Sequence, residues 1–212
     1  DSLWYRGRGY KRQNMEMKDL FHVPFEKRGK IGVNRYSVIG YPCLYLASSM
    51  NCCIKENHCT TPICISAFKP TSEFIVYDFT FFPHVKSMTK IACSILVQDG
   101  DRGNCFIPEY IIPEYVLHGT IRQTKVSKPL GIAYTSTVFF SKSVTKESAR
   151  EHINLAIPAI QIRSKGFCKS LSKLFSLTKP IILHLSDCIN ESMFKVQKDE
   201  LNDMTFNELE EE

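Results

Sequence analysis

The segment from Asn34 to Glu56, NRYSVIGYPCLYLASSMNCCIKE, constrains the fold of this chain more than any other. Within it, the compact apolar run from Cys43 to Ala47 is typical of a buried strand. Ser48 or Ser49 can cap a helix that begins directly afterwards, because a serine hydroxyl satisfies an amide left free in the first turn. The pattern predicts a strand–helix unit that carries Glu56 near the end of the helix.

The rest of the chain mixes strand and helix patterns without regular alternation. Apolar and β-branched runs predict strands at residues 3–8 (an edge strand), 63–68, 74–79, 131–140, 153–157 and 180–185. Helical spacing is found at residues 15–25, 85–98, 110–123, 166–177 and 187–201. This order predicts an α+β domain with a mixed or antiparallel sheet and flanking helices. We expect one domain over residues 1–198 and an acidic, flexible tail over residues 199–212.

Composition excludes several classes of protein. The 212 residues are 43% hydrophobic and 23% charged, and no apolar run approaches the ~20 residues of a membrane span. We therefore expect a water-soluble protein with no membrane partner. Nine cysteines at irregular spacing, an odd number, do not suit a disulfide scaffold in a chain of this length. Reduced thiols are the better interpretation, and they favour the cytoplasm.

Charge is distributed unevenly along the chain. The formal net charge is +5, but residues 199–212 carry seven acidic side chains and no basic one. The preceding body is therefore strongly basic, which favours phosphate-bearing partners such as a dinucleotide, a nucleic acid or an acidic protein. The chain has neither the glycine fingerprint of a Rossmann site nor a phosphate-binding P-loop. A nicotinamide dinucleotide would have to bind in another way.

Several motifs together resemble the RES-domain family, bacterial toxins that consume NAD and are related in fold to ADP-ribosyltransferases. The similar segments are FHVPFEKRGKIGVNRYSVIGYPCLYLASS, CCIKE, GIAYTSTVFF and HINLAIP. They occur in the family's order, and the resemblance extends over about residues 3 to 160. The resemblance implies an ADP-ribosyltransferase-like sheet core. It also implies a toxin neutralised by a protein antitoxin, with NAD as the substrate, no metal, and phosphate or water as the acceptor.

The resemblance assigns roles residue by residue. It implies that Glu56 is the catalytic acid, that Tyr45 contacts the nicotinamide, and that Arg6 and Arg35 bind the pyrophosphate. Ser136 and Asn154 match polar residues of the later strands, and the resemblance implies that they contribute neutral hydrogen bonds to NAD from the opposite side of the site. The family often has an aromatic residue after the first Arg, where this chain has Gly7. Arg8 is therefore an alternative equivalent of Arg6.

The residue types suit the implied chemistry. Breaking the bond between nicotinamide and ribose develops positive charge on the sugar, as in glycoside hydrolysis, and a carboxylate stabilises that charge. A guanidinium offers paired donors to phosphate oxygens, which a lysine cannot do. The sequence thus favours an NAD phosphorylase or glycohydrolase in which Glu56, Tyr45 and Arg35 are the catalytic residues.

Other interpretations stay open from the residues alone. A protein ADP-ribosyltransferase would use the same Glu56 chemistry on a protein acceptor, and a non-catalytic module could bind nucleotide or nucleic acid through the basic body. Taken singly, Glu56 and the arginines fit solvated surface charges, Tyr45 fits a core position, Ser136 an ordinary strand serine and Asn154 a turn amide. The sequence does not decide whether the protein forms a homo-oligomer.

Two further groups suggest chemistry only weakly. A Cys/His-rich stretch lacks the paired spacing of zinc sites, and adjacent cysteines on a helix point in different directions. Its members are Cys52, Cys53, His58, Cys59 and Cys64. The basic, aromatic stretch over residues 122–146 lacks a nucleic-acid recognition signature and fits a core strand with solvated charges.

Overall fold

A single mixed sheet organises the computed structural model. The structure describes residues 3–10, 15–37, 39–58, 62–80, 87–97, 104, 106–122, 128–139, 152–160, 163–184 and 191–209. The strands within these ranges are β1 (Trp4–Gly9), β2 (Cys43–Ala47), β3 (Ile63–Pro70), β4 (Tyr77–Phe79), β5 (Ile132–Thr135), β6 (Ile153–Pro158), β7 (Phe175–Leu177), β8 (Ile181–Leu183) and β9 (Asn207–Glu208).

The strands follow the order β4-β5-β6-β2-β1-β3-β7-β9, with β8 pairing beside β7 along β3. Every pairing is antiparallel except the parallel pair β4–β5. The helices are α1 (Met50–Glu56), α2 (Met88–Cys93), α3 (Ile111–Arg122), α4 (Lys169–Leu174) and α5 (Glu191–Asp203). Short 3₁₀ helices lie at Met17–Leu20, Phe25–Lys30, Pro108–Tyr110 and Thr137–Phe139. The predicted α+β class, with a mixed and mostly antiparallel sheet and flanking helices, is confirmed.

The central strand β3 explains how the core is divided. Its residues alternate between two apolar layers. Ile63, Ile65 and Ala67 pack in a cluster with α1 and α5, whereas Phe68 packs in a second cluster with Phe21 and Phe175. Residues 63–68 are all buried, as expected for a strand covered on both faces.

The sheet is open between β1 and β2. Strand β1 pairs with β3 over its whole length, but it pairs with β2 only at Tyr5↔Ala47. On its other side, β2 pairs with β6 over its whole length, from Ala47↔Asn154 to Cys43↔Pro158. Tyr5↔Ala47 is the one pair recorded between β1 and β2 in the described part of the chain, and the Tyr45 carbonyl of β2 accepts from a side chain of β1.

Several predicted elements agree with the structure and several need correction. Strand β2, the cap at Ser49 and the helix that ends at Glu56 lie where the sequence predicts them. The first strand is a central strand and not an edge, because it pairs on both sides. Residues 15–25 do not form an α-helix: a 3₁₀ helix covers Met17–Leu20, and a second one, Phe25–Lys30, begins at the end of this range. The helix predicted over residues 166–177 ends at Leu174, because the next three residues pair with β3 and β9 as β7.

The acidic end of the chain carries regular structure within the described part. Helix α5 continues to Asp203, so a boundary at residue 199 falls inside it, and β9 adds to the sheet through β7. Leu201 and Leu209 are buried, and the Tyr5 hydroxyl donates to Asn202 Oδ1 at 2.8 Å. Two buried leucines and a strand pairing anchor this segment in spite of its acidic composition.

Candidate active site

A cavity of about 510 Å³ lies at the opening between β1 and β2. This volume is in the range of ordinary ligand sites. Five of the six predicted site residues line the cavity, and the sixth, Ser136, contacts one of them. The five are Arg6, Arg35, Tyr45, Glu56 and Asn154. Residues from distant parts of the chain meet here because the sheet brings β1, β2 and β6 together.

Glu56 is the last residue of α1 and lines the cavity half-buried. A negative charge at a helix C-terminus is unfavourable, since the helix carboxyl end is itself partly negative. Two donors offset that cost. Ser136 Oγ donates to Glu56 Oε1 at 2.6 Å, and Asn154 Nδ2 donates to the same oxygen at 2.5 Å. Both bonds go to Oε1, so Oε2 is the oxygen that can accept from a ligand.

Neighbouring strands supply the two donors. Asn154 lies on β6 opposite Tyr134 of β5, and Ser136 directly follows β5, where its amide donates to the carbonyl of His152 at 2.7 Å. Ser136 is 0% exposed and Asn154 is 5% exposed. Because both side chains are buried in the sheet, their donor groups are held in place before any ligand arrives.

Arg6 fills the opening between the strands. Its Nη1 donates to the Tyr45 carbonyl at 2.6 Å, replacing a backbone bond that the separated strands cannot make. Its Nε is buried and, within the described part of the chain, has no partner. Burial lowers the pKa of Arg6 to about 9, and the positive charge of Arg8 adds to this. Arg6 therefore stays charged at neutral pH, with donor capacity to spare.

Arg8 lies further along β1 on the same cavity. Its Nη2 donates to the Phe21 carbonyl at 3.0 Å, and burial lowers its pKa. Gly7, between the two arginines, faces α1. A Cβ at this position would lie 2.8 Å from Ile63 Cδ1 and 2.9 Å from Cys53 Sγ. A larger residue at this position would have to displace the side chains of Ile63 on β3 and Cys53 on α1, which favours glycine here.

Arg35 approaches the cavity from the turn before β2. It is only 8% exposed, and its Nη1 donates to the Cys93 carbonyl at the end of α2 at 3.0 Å. The guanidinium carbon lies 5.1 Å from the centre of the Tyr110 ring, a cation–π arrangement. These contacts hold Arg35 in a fixed position at the cavity wall.

Tyr45 lines the cavity from β2. Its hydroxyl and that of Ser37 lie 2.6 Å apart and share a hydrogen bond. Burial raises the pKa of Tyr45 well above its ordinary value, so the phenol stays protonated. Ser37 belongs to the same turn as Arg35, where its amide donates to the Asn34 carbonyl. One turn therefore positions both an arginine and the tyrosine hydroxyl.

Three residues at the site had no individual role assigned to them from the sequence, although Cys52 belongs to the Cys/His-rich stretch and Tyr134 to the segment GIAYTSTVFF. Cys52 donates through its thiol to Asn154 Oδ1 at a sulfur–oxygen distance of 3.5 Å. Tyr134 lines the cavity, and burial together with the charge of Glu56 raises its pKa well above the ordinary value. Tyr110 packs on Arg35. Only Cys52 had a local signal, since it lies one helical turn before Glu56; the others arrive through long-range packing.

The Cys/His-rich stretch does not gather into a metal site within the described ranges, where no group of three potential ligands occurs. Cys52, Cys53 and Cys64 are buried, and Cys59 lies outside the described residues. In the basic stretch over residues 122–146, residues 123–127 and 140–146 also lie outside them.

Among the helices that the structure describes, none has the length and apolarity to cross a membrane.

The fold and the site define a mixed α+β domain with an anion-compatible cavity. The cavity is lined by the guanidinium groups of Arg6, Arg8 and Arg35 and by a carboxylate that two neutral donors hold in place. Such a site can hold a phosphorylated ligand by its charged end and stabilise positive charge at the carboxylate.

Comparison with known proteins gives a relative and a structural neighbour. The chain is 32% identical over 191 residues to a Bacillus subtilis (strain 168) protein named "Putative toxin YopC". The match covers 77% of this chain and 42% of that protein, so the chain spans less than half the length of this relative. A chain from the crystal structure of the M. tuberculosis MbcT-MbcA toxin-antitoxin complex aligns with a TM-score of 0.45 and 14% identity, over 86% of this chain and 84% of the other. No family model matches the sequence.

Proposed function

We propose that this protein is an NAD-degrading enzyme of RES type that acts as the toxin of a toxin–antitoxin pair. It cleaves the bond between nicotinamide and ribose and transfers the ADP-ribosyl group to phosphate or water. The single observation that carries the proposal is Glu56, a carboxylate held by Ser136 and Asn154 in a cavity that also contains Arg6 and Arg35.

The cavity is lined by side chains of both charges, and these match the two parts of the substrate. The pyrophosphate carries two negative charges, and Arg6 and Arg35 bind it, because Arg6 retains an unpaired Nε–H and Arg35 is fixed at the wall. The ribose attached to nicotinamide then lies at Glu56, whose Oε2 accepts from a ribose hydroxyl. Tyr45 packs on the nicotinamide ring, and its own hydroxyl is held by Ser37.

The reaction follows from charge development at the sugar. As the carbon–nitrogen bond breaks, its electron pair leaves with nicotinamide as a neutral base, and the ribose becomes cationic. The Glu56 carboxylate stabilises that cation by proximity, and its orientation is already fixed by Ser136 and Asn154 before the reaction. An oxygen of phosphate or water then forms the new bond to the sugar, and any proton it loses passes to solvent.

The toxin assignment has separate support. The sequence resembles RES toxins, and the relative from Bacillus subtilis carries a toxin name. A protein antitoxin is the partner expected for such a toxin. Co-expression with an adjacent small gene product should restore the growth of cells that the wild-type chain arrests. Growth arrest should disappear in Glu56→Gln even without that partner.

Turnover of NAD by the purified protein tests the activity. Wild type should consume NAD and release nicotinamide, and Glu56→Gln should lose at least about 100-fold in rate, because it removes the charge that stabilises the sugar cation. Glu73→Gln is the matched control, since Glu73 is exposed and lies outside the cavity. Equal rates for wild type and Glu56→Gln would refute the proposal, provided that both variants are folded.

Product analysis separates the acceptors. Phosphorus NMR of the same reaction with phosphate present distinguishes a phosphorylated ADP-ribose from free ADP-ribose. Label from radioactive NAD that remains on protein would instead indicate a protein ADP-ribosyltransferase. Release of nicotinamide in all three cases would still depend on Glu56.

A further inference from the structure

Helix α1 carries a second polar side chain on the face that bears Glu56. Cys52 precedes Glu56 by four residues, the spacing that brings two helical side chains to the same side. Cys52 is 0% exposed, and its backbone amide donates to the Ser49 hydroxyl that caps the helix at 3.0 Å. The position of Cys52 is therefore fixed at its backbone by the cap and at its side chain by the sheet below.

The Asn154 amide connects the two residues. Its Nδ2 donates to Glu56 Oε1, and its Oδ1 accepts from the Cys52 thiol. A buried amide with one end unpaired is costly, and Asn154 is 5% exposed. Rotating the amide by half a turn would set its oxygen against the carboxylate and its NH₂ group against the thiol. Only the observed orientation satisfies both ends.

The thiol remains a donor over the whole working range of pH. Burial raises the pKa of Cys52 to about 12, the negative charge of Glu56 adds to this effect, and a hydrogen bond with Ser136 opposes it. A deprotonated sulfur beside Glu56 would repel both the carboxylate and the amide oxygen. Because the thiol keeps its proton, it pairs with the amide oxygen without introducing a second negative charge.

We propose that Cys52 is a positioning residue for the reaction: its thiol holds the Asn154 amide with Nδ2 toward Glu56, and the amide in turn fixes the carboxylate. This inference rests on the proposed function for its kinetic consequence, although the side-chain arrangement itself is independent of that function. Cys52 acts through Asn154 and makes no contact with the sugar. The two hydrogen bonds that join Cys52 to Asn154 and Asn154 to Glu56 then keep the carboxylate oriented while the substrate enters and leaves.

Three substitutions separate hydrogen bonding from packing. Cys52→Ser keeps a donor, Cys52→Val keeps the volume but removes the donor, and Cys52→Ala removes both. With NAD, Cys52→Val and Cys52→Ala should lower kcat by about tenfold, the effect of losing one neutral hydrogen bond, while KM changes less than about twofold. Cys52→Ser should retain kcat within about threefold. Cys168→Ala is the matched control, because it removes a buried, hydrogen-bonded thiol from the core outside the cavity.

A second readout does not depend on turnover. In proton–nitrogen correlation spectra, the two side-chain amide protons of Asn154 should be shifted and protected from exchange in wild type and in Cys52→Ser. Their protection should fall in Cys52→Val and Cys52→Ala and should persist in Cys168→Ala. If the protein does not cleave NAD at all, the proposed function fails while this spectrum still tests the role of Cys52.

Two results would overturn the inference. One is an Asn154 amide signal that stays unchanged in Cys52→Val. The other is a loss of kcat in Cys168→Ala as large as in Cys52→Ala, which would indicate a general effect of core packing.

Discussion

His22 is a fully buried polar side chain and Arg6 is a half-buried one whose Nε is buried, and the two differ in whether their buried nitrogens have hydrogen-bond partners. His22 is 0% exposed among Phe21, Phe25 and Phe167, and each ring nitrogen has a partner. Its Nδ1 donates to the Val23 carbonyl at 2.8 Å, and its Nε2 accepts from the Cys168 amide at 2.9 Å. Arg6 has one bond to the Tyr45 carbonyl, and its Nε remains without a partner among the described residues.

The difference distinguishes a structural polar group from one that can receive a ligand. A buried group with all its hydrogen bonds satisfied supports the fold and has nothing left to offer. A buried group with an unused donor costs free energy, and that cost is recovered when an acceptor binds. His22 belongs to the first kind, and Arg6 belongs to the second.

Acid should lower the free energy of unfolding because of His22, and this is the largest of the effects expected from the comparison. Burial lowers the pKa of His22 to about 4, and the positive charges of Arg6 and Arg8 act in the same direction. The unfolded chain takes up a proton near pH 6.5 and the folded chain does not, so the free energy of unfolding should fall as pH drops from about 6.5 to about 4. The loss attributable to His22 is roughly 3 kcal/mol.

Urea unfolding at several pH values measures this effect. His22→Phe removes the titrating group, so the stability of this variant should depend less on pH between about 6.5 and 4 than the stability of wild type. Replacement by Phe also leaves the Val23 carbonyl and the Cys168 amide without their partner, so the variant differs from wild type at every pH. The quantity to compare is therefore the slope of the free energy of unfolding against pH. Parallel pH curves for the two proteins would show that His22 does not titrate as its burial implies.

Replacing Arg6 should weaken ligand binding much more than it lowers the stability of the fold. Arg6→Met should weaken NAD binding by about 100-fold, the value of one or two charged hydrogen bonds to phosphate. The free energy of unfolding should change by only about 1 kcal/mol, since losing the bond to Tyr45 is offset by removing a buried charge. Calorimetric titration in a Glu56→Gln background measures binding without turnover.

The exposed Arg163 provides the matched control. Arg163→Met removes the same charge from the protein and should leave NAD affinity unchanged. An equal loss of affinity in both variants would mean that overall charge, and not the cavity, attracts the ligand. A large loss of stability in Arg6→Met with affinity retained would make Arg6 a structural residue of the same kind as His22.

Local patterns in the sequence were sufficient for the strand–helix unit. The apolar run of β2, the serine cap and the helix that ends at Glu56 depend on neighbouring residues, and all three were predicted. The six site residues were selected by resemblance, and the structure brings them together at one cavity. Their roles in the reaction stay predictions.

The elements and contacts that the sequence did not predict depend on pairing between distant parts of the chain. The local pattern predicted an edge strand for β1, because its partners β2 and β3 come later in the chain. It predicted a helix for residues 175–177, because their pairing with β3 is not local. The bond from Arg35 to the Cys93 carbonyl and the contact between Cys52 and Asn154 join positions 58 and 102 residues apart. Neither has a signal in local spacing.

The most direct test of the central claim is a crystal structure of Glu56→Gln with NAD bound. The pyrophosphate should lie at Arg6 and Arg35, and a hydroxyl of the nicotinamide ribose should lie within hydrogen-bonding distance of the side chain at position 56. NAD bound elsewhere on the protein, or bound in the cavity with its nicotinamide ribose remote from residue 56, would contradict it.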